Sequence, residues 1–453
     1  LNPTEHQYGH SPYNAISGLA GNPLLISPEL LAEEGLLDAA VLSDHKTVTE
    51  ERADYERAVR IRQQLLPQAW RRFLEGDFSS LKKSYRYFCE TEAHWLDDYA
   101  LYMVIRHQQG NTPWHQWPAP LRLRNQPALA RLAAAHKVEI DEIKWQQFMF
   151  FRQWKALRNY CHNAGIKLFG DLPFYVSYDA ADVWANPEIF RLDSSGGIAG
   201  MAGVPPDYFC SDGQLWGMPT FNWVTLQKRN YDWWITRLRK NLELYDLLRL
   251  DHFRAFAAYW EVPGGSLTAR TGKWIAGPGA VFFRAVETAL GSLPFVAEDL
   301  GEDMDDVYRL RDTLGLPGMK VLQFAFGDNM PASVDALHHH TPQSIAYTGT
   351  HDNNTTVGWY QEDLTDTDRQ RIAAYTAARP TARQIHLILS RIAYASVARI
   401  AILPAQDLLG LESIHRMNRP GQSKNNWLWR LLPSQLDLGV EKRLQDWVYL
   451  YNR

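Results

Sequence analysis

The sequence predicts an α/β fold: a (β/α)8 TIM barrel carrying a helical insertion and lid subdomains, with its N-terminal strands missing from the chain. Three observations predict it. From about residue 163 short apolar runs recur, each followed by polar or acidic residues, which is how buried parallel strands read when they carry chemistry at their C-terminal ends. Before them, apolar residues at helical spacing fill 35–162. Glycine-rich, aromatic-tipped stretches too long for plain connectors interrupt the runs, as lids at a barrel mouth do.

The elements follow in order. Leu1-Asn-Pro-Thr4 reads as the exit from a strand whose body lies upstream, so 1–34 is the start of the barrel after its missing first strands. In 35–162, Leu66, Trp70, Phe73 and Leu74 share one helix face, and so do Phe148, Phe151, Trp154, Leu157 and Cys161. Gly110–Pro120 reads as a loop between these helices. The segment 163–453 is the remainder of the barrel, and six strands are expected there. They are Ile166–Gly170 before Asp171, Leu247–Leu250 before Asp251, Pro294–Ala297 before Glu298, Val321–Ala325, Ile345–Thr348 before His351-Asp352, and Ile400–Leu403 before Gln406-Asp407. A closed barrel needs eight. A lid lobe spans 172–246, with Gly196-Gly197, Gly200, Gly203, Pro205-Pro206 and Gly213-Gln-Leu-Trp-Gly217, and a second long loop spans 404–426. From Ser434 a helix sets Val440, Leu444, Trp447, Val448 and Tyr451 on one face.

Composition bounds the function. The 453 residues are 45% hydrophobic and 22% charged, enough for a sizeable core, and the net charge of −4 gives no basic patch for nucleic acid. Cys89, Cys161 and Cys210 are odd in number and widely spaced, which argues against a disulfide framework or a zinc site and for a reducing, cytoplasmic setting. No secretory leader and no membrane-spanning run is read. His338-His-His340 reads as a solvated loop and His162 as a packed helix end. No metal and no organic cofactor is called for. The 17 Trp and 21 Tyr offer flat apolar faces with a polar edge, which suit sugar rings.

Three carboxylates then stand out, each closing a strand: Asp251, Glu298 and Asp352. Cleaving a glycosidic bond needs a proton for the leaving oxygen and relief for an oxocarbenium-like transition state, and a pair of carboxyl groups supplies both. Arg249 precedes Asp251 by two residues, so both side chains face one way along the strand. A fixed guanidinium there favours the ionised form a nucleophile needs. Glu298 has the longer reach suited to the exocyclic oxygen.

At these residues the chain closely resembles the 4-α-glucanotransferase (amylomaltase, disproportionating enzyme) family of the α-amylase superfamily. The motifs run in order from Ser11-Pro-Tyr13 and Ala20-Gly-Asn-Pro23 through Gly170-Asp-Leu-Pro-Phe-Tyr-Val176, Ala181-Asp-Val-Trp184 and Gly203-Val-Pro-Pro-Asp-Tyr-Phe209. They continue with Gly213–Gly217, Leu250-Asp-His-Phe-Arg254, Ala297-Glu-Asp-Leu-Gly301, Gly318-Met-Lys-Val-Leu-Gln-Phe324, Thr350-His-Asp-Asn353 and Arg416-Met-Asn418. The resemblance implies Asp251 as nucleophile, Glu298 as general acid/base and Asp352 as transition-state stabiliser. It implies that Arg249, His252 and His351 line the sugar subsite before the scissile bond. Tyr13, Ser11, Asp171, Gln214, Trp216 and Asn418 would contact the donor and acceptor sugars. The implied partners are α-1,4-glucans and maltooligosaccharides, with glucose as an acceptor. Two lid motifs depart from the family, at Gly217-Met-Pro219 and Glu412-Ser-Ile-His415, which bears on acceptor preference. A glucan hydrolase using the same carboxylates, and an inactive glucan-binding fragment, are the competing readings.

Overall fold

The computed structural model describes residues 1–43, 50–206, 211–301, 303–422 and 424–453. Asp207, Tyr208 and Phe209 of the lid motif, and Cys210, lie outside the described residues. The fold is α/β, in two units. The first comprises Leu1–Thr47, Tyr55–Phe295 and Met304–Leu310; the second comprises Val48–Asp54, Val296–Asp303 and Arg311–Arg453.

In the first unit the helical segment is built from long helices, Tyr55–Glu75, Ser79–Gln108 and Lys137–Asn163. Leu66, Trp70 and Phe73 are buried with Trp145, Phe148 and Phe150 in one core, which gains also from Ile26 and Leu31. Leu74 and Leu157, expected on the buried faces, turn out to be about half exposed. Tyr85 and Phe73 meet edge to face at 5.7 Å, a favoured aromatic geometry. Within Gly110–Pro120, Trp114–Gln116 forms a 3-10 turn, pinned where Trp114 N–H donates to Asp179 at 3.0 Å.

The strand expected at Ile166–Gly170 runs instead from Phe169 to Leu172, so Asp171 lies within it and not after it. It pairs in parallel with Leu247–Leu250, and Asp171 sits opposite Arg249. Leu248 N–H donates to Pro294 O at 3.0 Å, just ahead of the strand Phe295–Ala297. Asp246 fixes the N-terminal end of this pair. It accepts from Leu168 N–H at 2.8 Å, from Arg158 at 2.7 Å and from His162 at 2.8 Å. The helix-end His162 is thus a strap on the strand.

The lobe after Asp171 holds an element the sequence did not announce, a four-stranded antiparallel sheet. Its strands are Gly200–Val204, Gln214–Pro219, Ala258–Pro263 and Lys273–Ala276. Two of them lie beyond residue 246. Gly203 permits a close approach between two of its strands: a Cβ there would sit 2.3 Å from Gln214 O.

The second unit carries three parallel strands in the order Ile400–Ile402, Ser344–Tyr347, Gly318–Val321. The run expected at Val321–Ala325 is corrected: the strand ends at Val321 and Leu322–Phe324 is a 3-10 turn. Leu322, Ala325 and Phe326 pack there with Val357, Trp359, Ile385 and Leu389. The helix Leu438–Tyr451 buries Val440 and Trp447, with Trp447 against Tyr394 at 5.8 Å, whereas Val448 is 40% exposed. The three imidazoles of 338–340 are all engaged. His338 bonds Tyr375, His339 bonds Pro331 O, and His340 is buried between Ser396 and Asp335 O.

Candidate active site

In the first unit, four side chains form one hydrogen-bonded chain. Parallel register sets Asp171 beside Arg249, and the period-two step along Leu247–Leu250 carries Arg249 and Asp251 to the same side. Arg249 Nη1 donates to both oxygens of Asp171, at 2.8 and 2.7 Å, and to Asp251 Oδ1 at 3.1 Å. Its side chain is only 8% exposed, against 22% for Asp251. A buried guanidinium is thus held by two carboxylates, both more open to solvent than it is. Tyr13 closes the chain by donating its hydroxyl to Asp171 Oδ2 at 2.7 Å. Burial, then the charges of Asp171 and Asp251, push the Tyr13 phenol well above its usual range, so it remains a donor. Ser11 acts locally. Its hydroxyl accepts from Tyr13 N–H at 3.3 Å and caps the turn Pro12–Asn14. The Asp251 N–H bonds Leu172 O at 3.0 Å, tying the turn to the neighbouring strand.

His252 follows in a left-handed conformation, φ +50°, which a non-glycine residue adopts only where its surroundings impose it. Its half-buried ring meets Trp216 edge-on at 4.9 Å and Tyr175 at 6.0 Å. Desolvation, then the nearby Arg254, lower its pKa to about 4. A neutral imidazole is therefore the working form near pH 7. Trp216 and Gln214 lie on the strand Gln214–Pro219 and are joined by an indole N–H to amide oxygen bond of 3.2 Å. Trp216 is partly buried, and Gln214 is exposed.

In the second unit, Glu298 follows Phe295–Ala297, whose three residues are buried. Its neighbour Asp299 turns the other way. Asp299 is buried, pairs with Arg311, and accepts from Met319 N–H at 2.7 Å. The acid after the glutamate therefore latches this turn to the next strand. Gly318 makes the approach possible, because a Cβ there would lie 2.2 Å from Asp299 Oδ2.

Asp352 sits in the turn after Ser344–Tyr347 and is held from several sides. Asn418 Nδ2 donates to Asp352 Oδ1 at 2.5 Å, and Arg416 Nη2 to the Asp352 carbonyl at 2.5 Å. Thr350 Oγ1 accepts from Asp352 N–H at 3.3 Å, while Asn353 Oδ1 accepts from Thr350. His351 Nε2 lies 3.5 Å from Asp352 Oδ2, and its ring is 5.6 Å from Trp427. Asn418 N–H returns to His351 O at 3.1 Å. Asp407, at the end of the last expected strand, is buried and structural. It accepts from Thr348 Oγ1, Thr356 N–H and Thr356 Oγ1 at 2.6–2.7 Å.

The first unit thus gathers Ser11, Tyr13, Asp171, Arg249, Asp251, His252, Gln214 and Trp216, and the second gathers Asp352 with His351 and Asn418, while Glu298 stands on its own strand end. Sequence reasoning quoted Arg416 in a motif but gave it no role, and missed the Asp299 latch. The readable signal for Asp299 was its position next to Glu298, since adjacent side chains at a strand end point to opposite sides. Among the described residues, no group of three His, Cys, Asp or Glu side chains is arranged to hold a metal.

The comparisons with known proteins bear on the family. The family profile described as 4-alpha-glucanotransferase matches residues 1–435. The 4-alpha-glucanotransferase of Synechocystis is 44% identical over 98% of this chain and 88% of its own length. That of Thermus thermophilus is 42% identical over 95% of this chain and 86% of its own. Among solved structures, the amylomaltase from Streptococcus agalactiae in complex with acarbose superposes with a TM-score of 0.94 at 35% identity, covering 100% of this chain and 90% of that one. With the profile and the relatives both spanning nearly its full length, the chain belongs to the 4-alpha-glucanotransferase family.

Proposed function

We propose that the chain is a retaining transferase that moves α-1,4-glucan segments between maltooligosaccharides, or onto glucose, through a glycosyl-enzyme on Asp251. The observation that carries this is the Tyr13–Asp171–Arg249–Asp251 chain of hydrogen bonds. It sets a fixed guanidinium 3.1 Å from the Asp251 carboxylate, which supports the reading of Asp251 as the group that attacks an anomeric carbon. In the first half-reaction Asp251 displaces the leaving sugar while Glu298 gives its proton to the glycosidic oxygen. In the second, Glu298 takes the proton of an acceptor 4-hydroxyl, that oxygen attacks the anomeric carbon, and Asp251 leaves. Asp352, oriented by Asn418 and Arg416, binds hydroxyls of the distorting ring. His252, His351, Gln214 and Trp216 serve the flanking sugars, and a (β/α)8 barrel is the frame.

Transfer and hydrolysis share this intermediate and differ in the exclusion of water. The lobe 172–246 and the loop 404–426 are assigned that role. Cys89 and Cys161 are free thiols, which suits a reducing cytoplasm, and no described helix is long and apolar enough to cross a membrane. Incubation with maltotriose is the test. A ladder of longer oligosaccharides together with glucose supports transfer. Glucose and maltose without elongation would make the chain a hydrolase, and binding without turnover would make it a glucan-binding protein.

A further inference from the structure

Away from the residues above, the first unit carries a half-open cavity of about 240 Å³. It lies among the segment around Ser17 and the helices Ser79–Gln108, Ala181–Ala185 and Asp232–Leu244. That is far more room than one water needs and below the ~300 Å³ at which sites for drug-sized ligands begin. It fits a single ring and not a chain.

Its chemistry is mixed in a particular way. Trp95, Tyr99 and Trp233 supply flat apolar walls, each at least nine-tenths buried. One of them, Tyr99, carries a polar atom with no protein partner. The Tyr99 hydroxyl makes no hydrogen bond among the described residues, whereas the unpaired Trp233 indole N–H is sealed off by its surroundings. A donor left in this state favours a ligand that can accept from it. Two of the three carboxylates at the cavity are ion-paired, and burial raises the pKa of the third, Asp182. Asp98 pairs with Arg124 at 2.7 Å, Asp232 with Arg229 at 3.0 Å, and Asp182 accepts Gly18 N–H at 2.9 Å. The site therefore calls for neither an anion nor a cation. A carboxylate in one ion pair still has lone pairs to spare, so it can accept from hydroxyl groups.

We infer that this cavity is an accessory site for one neutral pyranose ring, a glucose molecule or the terminal residue of a glucan, separate from the catalytic residues. Aromatic walls take the C–H faces of the ring, carboxylates accept its hydroxyl protons, and Tyr99 donates to one of its oxygens. The choice of glucose over another hexose rests on the proposed function; the existence of a ring site does not.

The experiment uses the Asp251→Asn chain, which cannot turn sugars over. Acarbose is titrated first by calorimetry, since failure of that step speaks against the glucan reading and not against the cavity. Glucose is then titrated into the acarbose-saturated protein, and maltotriose in a parallel arm. The expected result is one equivalent of glucose bound in the presence of acarbose, weakened about tenfold in Tyr99→Phe, which deletes one hydroxyl and leaves the wall in place. Maltotriose binding equally well assigns the site to a chain end, and glucose alone assigns it to the free sugar. Two equivalents of acarbose, one lost in Tyr99→Phe, likewise support a ring site that a chain end reaches. Absence of any second equivalent, or a second equivalent unchanged in both Tyr99→Phe and Trp233→Phe, overturns the inference. In the parent background Tyr99→Phe is expected to leave maltotriose transfer unchanged.

Discussion

Arg249 is the residue on which the proposed first half-reaction turns, because one guanidinium holds two carboxylates. The sequence made half of this legible: the two-residue step from Arg249 to Asp251 needs only strand geometry. The other half, Tyr13 on Asp171, joins residues 158 positions apart, and no local pattern encodes it. Removing the Tyr13 hydroxyl deletes a bond to a charged partner, which is worth about 1.5–3 kcal/mol. Tyr13→Phe should therefore lower kcat/KM for maltotriose about 10- to 100-fold with the fold intact, measured by steady-state kinetics beside a thermal melt. His252 makes a pH prediction. Its folded pKa, about 4, lies below the ~6.5 of an unfolded histidine. Between those values the unfolded chain binds the extra proton, so stability is present above pH ~6.5 and falls as pH drops toward ~4. His252→Asn, which tolerates the left-handed backbone, should show a shallower loss of Tm from pH ~6.5 to ~4 than the parent. An equal slope in the two would contradict the assignment.

Elements show a division of labour along single strands. Leu247–Leu250 begins at Asp246, which ties strand ends together, and ends at Asp251, the proposed nucleophile. Desolvation alone would raise the Asp246 pKa; hydrogen bonds from Arg158, Leu168 N–H and His162 outweigh it and bring the carboxyl down to about 2. A depression of that size is worth at most about 2 kcal/mol, and nearer ~1 kcal/mol once solvent screening near the surface is allowed for. That stability is present above pH ~4 and is lost as pH falls through ~2. Asp246→Asn should cost about 1–2 kcal/mol at pH ~7 by urea denaturation, with the difference vanishing near pH ~2 and kcat little changed. Asp299 is the counterpart at the other kind of end. Breaking its buried pair with Arg311 should cost about 3–5 kcal/mol, so Asp299→Ala should lower both Tm and kcat by loosening the turn that carries Glu298. The parallel strands were legible because strands buried on both faces are written as apolar runs. The errors fell where that rule weakens: polar Asp171 inside a strand, and Leu322–Phe324, which is apolar yet turns. The antiparallel sheet of the lobe stayed hidden because Gly200, Gly203 and Gly217 dilute its strands and its members are separated by the turn of Asp251.

For the whole molecule, Asp251 belongs to the first unit and Glu298 and Asp352 to the second, and the family match spans both. What separates a transferase from a hydrolase is the treatment of water at the intermediate. Trp216 stands on the lobe assigned to exclude it. Trp216→Ala should raise the share of glycosyl groups lost to water, read as reducing ends gained per transfer event. The most direct measurement is covalent. Glu298→Gln cannot activate an acceptor, so an α-maltosyl fluoride, whose leaving group needs no proton, should load the enzyme and leave it loaded. Peptide mass spectrometry after rapid acid quench should then find the maltosyl mass on the peptide containing Asp251, and none in the Asp251→Asn chain. Sugar on any other residue, or full turnover with no covalent species in Glu298→Gln, would contradict the account.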